Sequence, residues 1–286
     1  MLHKRFVFCT GAVLFLSSAA ITSVAAQQVT IKETPPAAAA DPQLVTAANP
    51  AAAKAHYKRA CALQGKGEVD ECILEFQQAI HLDMPDPAGT AHNPIQTADA
   101  YRQLGKIRQD KNQLISAVAN YRASLKLQPN EAQTHVSLAD ALFDREFYDS
   151  SAAEYRAGLR LDPLGRQVDL TNLHINLGNC LDKLKQTVGA VTEYRKAVRL
   201  TPNDDTAHYN LSVELVLLGR YPEALRECRE AIRLSPEDAS YCDQLGDILY
   251  DSGEHEQGRV EWRKVLRMDD ADEADTAREE LAEYGP

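Results

Sequence analysis

The sequence is missing most of what an enzyme or a nucleic-acid binder needs. It contains no P-loop, no GxGxxG after a strand and no GxSxG nucleophile turn, the motifs through which a backbone cradles phosphate or presents a serine. There is no HExxH, no HxH, no CxxC and no CxxCH, which removes common zinc, thiol-redox and haem-attachment spacings. No run has the alternating, β-branched composition of a strand. Basic excess is absent too: 31 Lys and Arg stand against 42 Asp and Glu, a net charge of −11, and phosphate backbones are held by the opposite sign. From Glu237 onward 16 acidic residues face 5 basic ones, a net of −11. The excess therefore sits at one end, where it keeps a terminus soluble or meets a basic partner. Beyond the first 26 residues no apolar run is long enough to span a bilayer. These absences predict a chain with no catalytic residues, no cofactor, no metal and no nucleic-acid partner.

What the chain does contain is repetition. Asp205 to Asp238 reads as two short helices. Leu211, Leu215 and Leu218 stripe the first, and Ala224, Leu225, Cys228, Ala231 and Ile232 stripe the second at i, i+3, i+4, i+7 spacing. Gly219 breaks the pair, and Pro236 closes it because proline cannot continue a helix. Small Ser212 and Ala224 mark where the two helices can cross closely. Neither stripe can be buried by this unit alone, so it needs copies of itself. Closing prolines recur at Pro129, Pro163, Pro202 and Pro236, with gaps of 34, 39 and 34. Before each comes an aromatic or thiol, a small residue and an aliphatic: Tyr121-Ser124-Leu125, Tyr155-Gly158-Leu159, Tyr194-Ala197-Val198 and Cys228-Ala231-Ile232. More worn copies flank these, from Ala53 to Pro85 and from Ala239 to Asp270.

The first helices share a leucine–small pair: Leu104-Gly105, Leu138-Ala139, Leu177-Gly178, Leu211-Ser212 and Leu245-Gly246. With the second-helix aromatic and the closing proline, this pattern resembles the tetratricopeptide repeat family. The resemblance covers about Ala53 to Asp270. It implies an all-α, right-handed superhelical solenoid of about six helix-turn-helix units, near 53–86, 98–131, 132–165, 171–204, 205–238 and 239–271. The family's first-helix tryptophan is replaced by His56, Tyr101, His135, His174, His208 and Cys242. The outer units lack the closing proline, with Met84 and Asp270 in its place.

Outside the repeats, Met1 to Ala26 reads as a secretory leader: a basic start at His3, Lys4 and Arg5, an apolar run from Phe6 to Ile21, and small residues before Gln27. Retention as an anchor is the alternative. Export would place the chain in the periplasm if the source is bacterial. Residues 27–52 are rich in alanine and proline and read as a flexible tether. Pro85 to Gln96 is an inserted loop full of helix breakers. Leu164 to Leu170 is a shorter insertion that would extend the next first helix. From 272 to 286 a final helix would cap the last unit, as the open end of a solenoid requires.

In the resembled family, extended peptides lie along a concave groove lined by first helices. On that arrangement Lys54, Lys58, Arg102 and Lys106 give the groove a basic start. Asp140 and Phe143, then Asn176, Asn179 and Asn210, occupy its middle. Tyr209, Val213, Val216 and Leu217 make it apolar, and Asp243, Asp247 and Asp251 close it with acid. Asn176 and Asn210 are equivalent one repeat apart, and an amide can both donate to and accept from a peptide backbone. Val213, Val216 and Leu217 are either a partner hot spot or packing for a neighbouring helix. The lysine–asparagine clamp of the chaperone-tail binders is not reproduced at Tyr57, Cys61, Gln103, Val136 or Asp140. Cys228 with Cys242, and Cys61 with Cys72, are candidates for disulfides in an oxidising compartment; the alternative is small buried side chains at helix contacts. The histidine column (His56, His135, His174, His208) fills the tryptophan space rather than converging on one ion, since helices pack roughly 8–10 Å apart. The sequence thus predicts an exported scaffold for a protein or peptide, with oligomerisation left open. The competing readings are a self-assembling structural protein, or a glycan- or small-molecule-binding accessory of an envelope enzyme.

Overall fold

The computed structural model describes residues 49–83, 93–268 and 271–284. The proposed leader and all but the end of the tether lie outside them. Among the described residues there are thirteen helices and no strand. Unit one is α1 (Pro50–Lys66) with α2 (Val69–Leu82), and unit two α3 (Pro94–Asp110) with α4 (Leu114–Leu127). Unit three is α5 (Ala132–Asp144) with α6 (Tyr148–Leu161), and unit four α7 (Leu170–Lys183) with α8 (Thr187–Leu200). Unit five is α9 (Asp205–Leu217) with α10 (Tyr221–Leu234), and unit six α11 (Ala239–Asp251) with α12 (His255–Val265). The last helix is α13 (Ala271–Tyr284). Each helix packs on its sequence neighbour, which makes a superhelical solenoid of hairpins.

Short polar side chains fix where first helices begin. Asn49 accepts from the Ala52 amide at 3.0 Å, Asp204 from Ala207 at 2.7 Å and Asp238 from Ser240 at 3.0 Å, each covering a donor that has no partner inside the helix. Pro50 and Pro94 occupy the first turn, where a missing N–H costs nothing. Every hairpin turn then needs one left-handed residue at the same place. Gly67, Gly219 and Gly253 supply it without strain, whereas Asn112, Glu146 and Lys185 hold it at φ 56°, 63° and 59°.

The second-helix aromatic explains the small residue of the first. A Cβ on Gly178 would lie 2.5 Å from Tyr194 Cε1, and one on Gly105 would lie 2.6 Å from Tyr121 Cε1. In unit six Trp262 lies against Gly246 in the same way. Unit five makes the opposite exchange: Cys228 is the smaller partner and Ser212 the larger, and both are fully buried. At the far end α13 buries Ala274 and Ala277. Its Leu281 and Tyr284 pack with Tyr250 and the buried Trp262, covering the apolar face of the last unit.

Three boundaries differ from the sequence reading. Residues 50–52 belong to α1 rather than to the tether, because Asn49 caps a helix there. Pro94, Ile95 and Gln96 belong to α3 rather than to the inserted loop, because Asn93 caps that helix; residues 84–92 of the insertion lie outside the described residues. Residues 164–169 do not extend a helix. The buried Asp162 carboxylate accepts from the amides of Arg166, Gln167 and Val168 and ties the segment into a loop, and Asp169 starts α7 afresh. Asp83 plays the same part before the other insertion, accepting from the Asn93 amide at 3.1 Å and from the Thr97 hydroxyl.

Candidate functional site: the first-helix face

First helices of successive units touch directly (α1 with α3, α3 with α5, α9 with α11), as they must on the inner side of a curve. The face they line is organised from behind. In units two, three, four and six the second-helix aromatic delivers its polar tip to a first-helix side chain. Tyr194 Oη donates to Asn179 Oδ1 at 2.7 Å, and Tyr121 Oη to Gln109 Oε1 at 3.1 Å. Tyr155 donates to Asp140, and Trp262 Nε1 to Asp247 Oδ1 at 3.2 Å. Burial, then the Asp140 charge, pushes the Tyr155 phenol far up, and burial does the same for Tyr194, so both remain donors. With its carbonyl held by Tyr194, Asn179 keeps its N–H₂ as a donor.

A cavity of about 360 Å³ opens on this face between units two, three and four. Its walls are Asn176 and Asn179 of α7, Asp140, Phe143 and Asp144 of α5, with Gln109 of α3 and Tyr155 closing the sides. Gln109 Nε2 donates to Asp144 Oδ2 at 3.1 Å across two units. Gln109, Asp144 and Tyr155 were not anticipated. The first two lie a turn beyond the inward positions considered, and Tyr155 was read only as a core aromatic.

Other groove candidates are placed differently. Asn210 reaches Asn179 Oδ1 at 3.5 Å, so the asparagine row is linked between units. Tyr209 packs on Tyr241, their rings 4.9 Å apart. Val216 packs against the core, Val213 is half-buried, and Leu217 is exposed. Arg102 is ion-paired with Asp99, which also accepts from Tyr57, so its charge is satisfied within unit two and α1. Lys106 is exposed. The aromatics that a glycan platform would need are dispersed: Tyr57 lies against Phe76, Phe143 against Tyr148 and Tyr250 against Tyr284.

The five described cysteines are free thiols, not two bridges. Cys72 donates to the Ala60 carbonyl and Cys228 to the Tyr241 carbonyl, each at 3.3 Å. Burial pushes the Cys228 thiol up to about 12, which holds it as a protonated small side chain within a helix contact. Cys242 instead receives Lys264 Nζ at 3.3 Å, and Cys61 is exposed.

The histidine column carries a device that the family pattern does not announce. His56, His135, His174 and His208 each set Nδ1 2.6–2.7 Å from a second-helix glutamate: Glu75, Glu154, Glu193 and Glu227. His208 Nε2 also faces the Pro202 carbonyl at 3.1 Å. Both its nitrogens meet acceptors, which favours the imidazolium, and Glu227 above all raises its pKa. Two carboxyls lean the other way. Glu214, 2% exposed, sits where other units carry Ile107, Ala141, Cys180 and Ile248; burial and then the Asp182 charge push it up to about 7. Asp243 is also pushed to about 7, by burial and by Glu273 and Glu280 of α13. Among the described residues no cluster of His, Cys, Asp or Glu could hold a metal ion, and no helix is long and apolar enough to cross a membrane.

The tetratricopeptide repeat family profiles match residues 97–166, 171–204 and 206–238, which cover units two to five. No curated protein matches the chain. Solved structures with similar folds include a tetratricopeptide repeat protein from Parabacteroides merdae, at 15% identity over 82% of this chain and 87% of that one, with a TM-score of 0.64. YrrB, described as a TPR protein with an unusual peptide-binding site, is 22% identical over 71% of this chain and 97% of its own, with a TM-score of 0.58. Pseudomonas aeruginosa pilF aligns at 14% identity over 76% and 91%, also at 0.58.

Proposed function

This chain belongs to the tetratricopeptide repeat family, and we propose that it is a non-enzymatic scaffold that holds an extended segment of a protein partner along its first-helix face. The observation that carries the reading is the set of groove amides held in one orientation from behind, Asn179 by Tyr194 and Gln109 by Tyr121. Preoriented donors reduce the ordering cost of gripping a peptide backbone, and they suit many sequences because the backbone is common to all. YrrB, whose fold is similar, is described by its peptide-binding site, which supports the same use of the fold here. The apolar step at Val213 and Leu217 adds a place for a side-chain anchor. The leader-like residues 1–26 support export, and envelope or secretion-apparatus assembly is the setting that an exported scaffold of this architecture suits.

A crosslinking pull-down from the native source tests the proposal, comparing wild type with Asn176→Ala/Asn210→Ala/Val213→Asp. One partner captured by wild type and lost with the variant is the expected result. Unchanged capture would move the binding surface to the acidic end or the tether. Capture of the chain alone would favour self-assembly.

A further inference from the structure

Within the groove, the cavity between units two, three and four has a chemistry of its own. Asp140 and Asp144 stand one helical turn apart on α5, with Phe143 beside them on the same wall. Among the described residues neither carboxylate makes an ion pair: Arg102 is taken by Asp99, and the exposed Lys106 pairs with neither. The polar groups that do meet them are neutral donors. Tyr155 gives its hydroxyl to Asp140, and Gln109 gives an amide N–H to Asp144. Each carboxylate therefore keeps accepting capacity and an unmatched charge, Asp140 half-buried inside the cavity and Asp144 exposed at its mouth. Burial, and less strongly the Asp144 charge, raises the Asp140 pKa even though Tyr155 opposes it. Asn176 and Asn179 of α7 line the cavity as well, and an amide can both donate to and accept from a peptide backbone. A volume of about 360 Å³ is at the small end of binding pockets, enough for one long side chain and the backbone that carries it.

We infer that this cavity takes the basic side chain of an extended peptide, arginine in preference to lysine, with the cation between Asp140 and Asp144 and its plane against Phe143. Arginine is preferred because its planar fork can serve two carboxylates at once and lie on an aromatic face, whereas an ammonium is a point charge. The inference rests on the groove reading above and narrows it: the partner segment carries a basic residue at the register that crosses units two to four.

The test is a ligand-observed NMR titration of the purified full chain with three blocked pentapeptides, acetyl-Ser-Gly-X-Gly-Ser-amide, in which X is arginine, lysine or citrulline. Citrulline keeps the shape of arginine and removes the charge. The arginine peptide is expected to bind at least tenfold more tightly than its citrulline twin, with lysine between them. Asp140→Asn/Asp144→Asn abolishes that gap by weakening the arginine peptide to the level of its citrulline twin; asparagine still accepts from Tyr155, and circular dichroism checks the fold. No preference for arginine, including no binding at all, overturns the inference, as does a preference that survives the double substitution. Asn179→Ala separates the two readings. If it weakens all three peptides while arginine shows no advantage, the groove reading stands without this pocket. If it changes nothing and arginine shows no advantage, both fall.

Discussion

Glu146 and Lys185 hold left-handed backbone conformations in exposed turns, where neither side chain is buried. That conformation costs a non-glycine residue about 1–2 kcal/mol, and glycine returns about half as unfolded-state entropy. Glu146→Gly and Lys185→Gly should therefore each stabilise the chain by about 0.5–1 kcal/mol, read as a higher urea midpoint. Gly178→Ala should do the reverse. Its methyl would meet the Tyr194 ring at 2.5 Å, and overpacking of this kind costs about 1–3 kcal/mol. If Gly178→Ala leaves the midpoint unchanged, the ring is not seated as described. At this scale much was legible: Gly219 was read as the break in unit five, and the leucine–small pairs marked the helix crossings. The histidine–glutamate pairs were legible but unread. Each glutamate follows its histidine by 19 residues, a spacing that repeats four times and crosses from one helix to the next. Glu214 was also legible but unread: it falls in the register of Ile107, Ala141, Cys180 and Ile248, although a lone carboxylate on a helix is ordinarily solvated.

Between elements, protonation holds α9 to α10 through His208 and α9 to unit four through Glu214. His208 has a raised pKa in the folded chain, chiefly through Glu227, with Glu230 contributing. Its stabilising pairing is complete below its ordinary value near 6.5 and is lost as pH rises through the folded value. Glu214, at the contact of α9 with the α7–α8 turn, has its pKa raised from 4.5 to about 7. It favours folding while protonated and becomes a buried charge beside Asp182 as pH climbs from about 4.5 to 7, a loss on the order of 3 kcal/mol. Both signs agree. Carboxylates with lowered values, such as Asp162 and Glu223, titrate below this window. The urea midpoint should fall from pH 5 to pH 8. Glu214→Gln should flatten that slope and be the more stable protein at pH 8. A midpoint that is level or rises with pH in wild type would contradict this. Element boundaries were the weaker part of the sequence reading for a local reason. Proline at Pro50 and Pro94 signals a breaker inside a helix but is favoured in its first turn, so the same residue was taken for loop. Asp83 and Asp162 mark the insertions more reliably, since each is a buried carboxylate at the end of a second helix whose amide partners lie in the segment beyond.

For the molecule as a whole, repetition made the fold readable and also limits what the sequence says of function. The same side chains that close each hairpin also build the inner face, so Tyr155 was recognised as core while its part in the cavity was hidden. The groove is graded. Its expected basic start is tempered by the Arg102–Asp99 pair, its middle is held by amides and two uncompensated aspartates, and at its far end burial, with the acidic Glu273 and Glu280 of α13, keeps Asp243 near neutral pKa. Such a gradient would give a segment bound as proposed a direction as well as a place.

Site-specific photocrosslinking in the native source tests the central claim most directly. Benzoylphenylalanine would be placed in turn at Asn172 and Leu217, exposed on the first helices α7 and α9, and at Ala153 and Arg229, exposed on the second helices α6 and α10. The account predicts that one and the same partner is crosslinked from Asn172 and Leu217 and not from Ala153 or Arg229. Crosslinks to that partner from the second-helix positions alone would place binding on the outer face and contradict it.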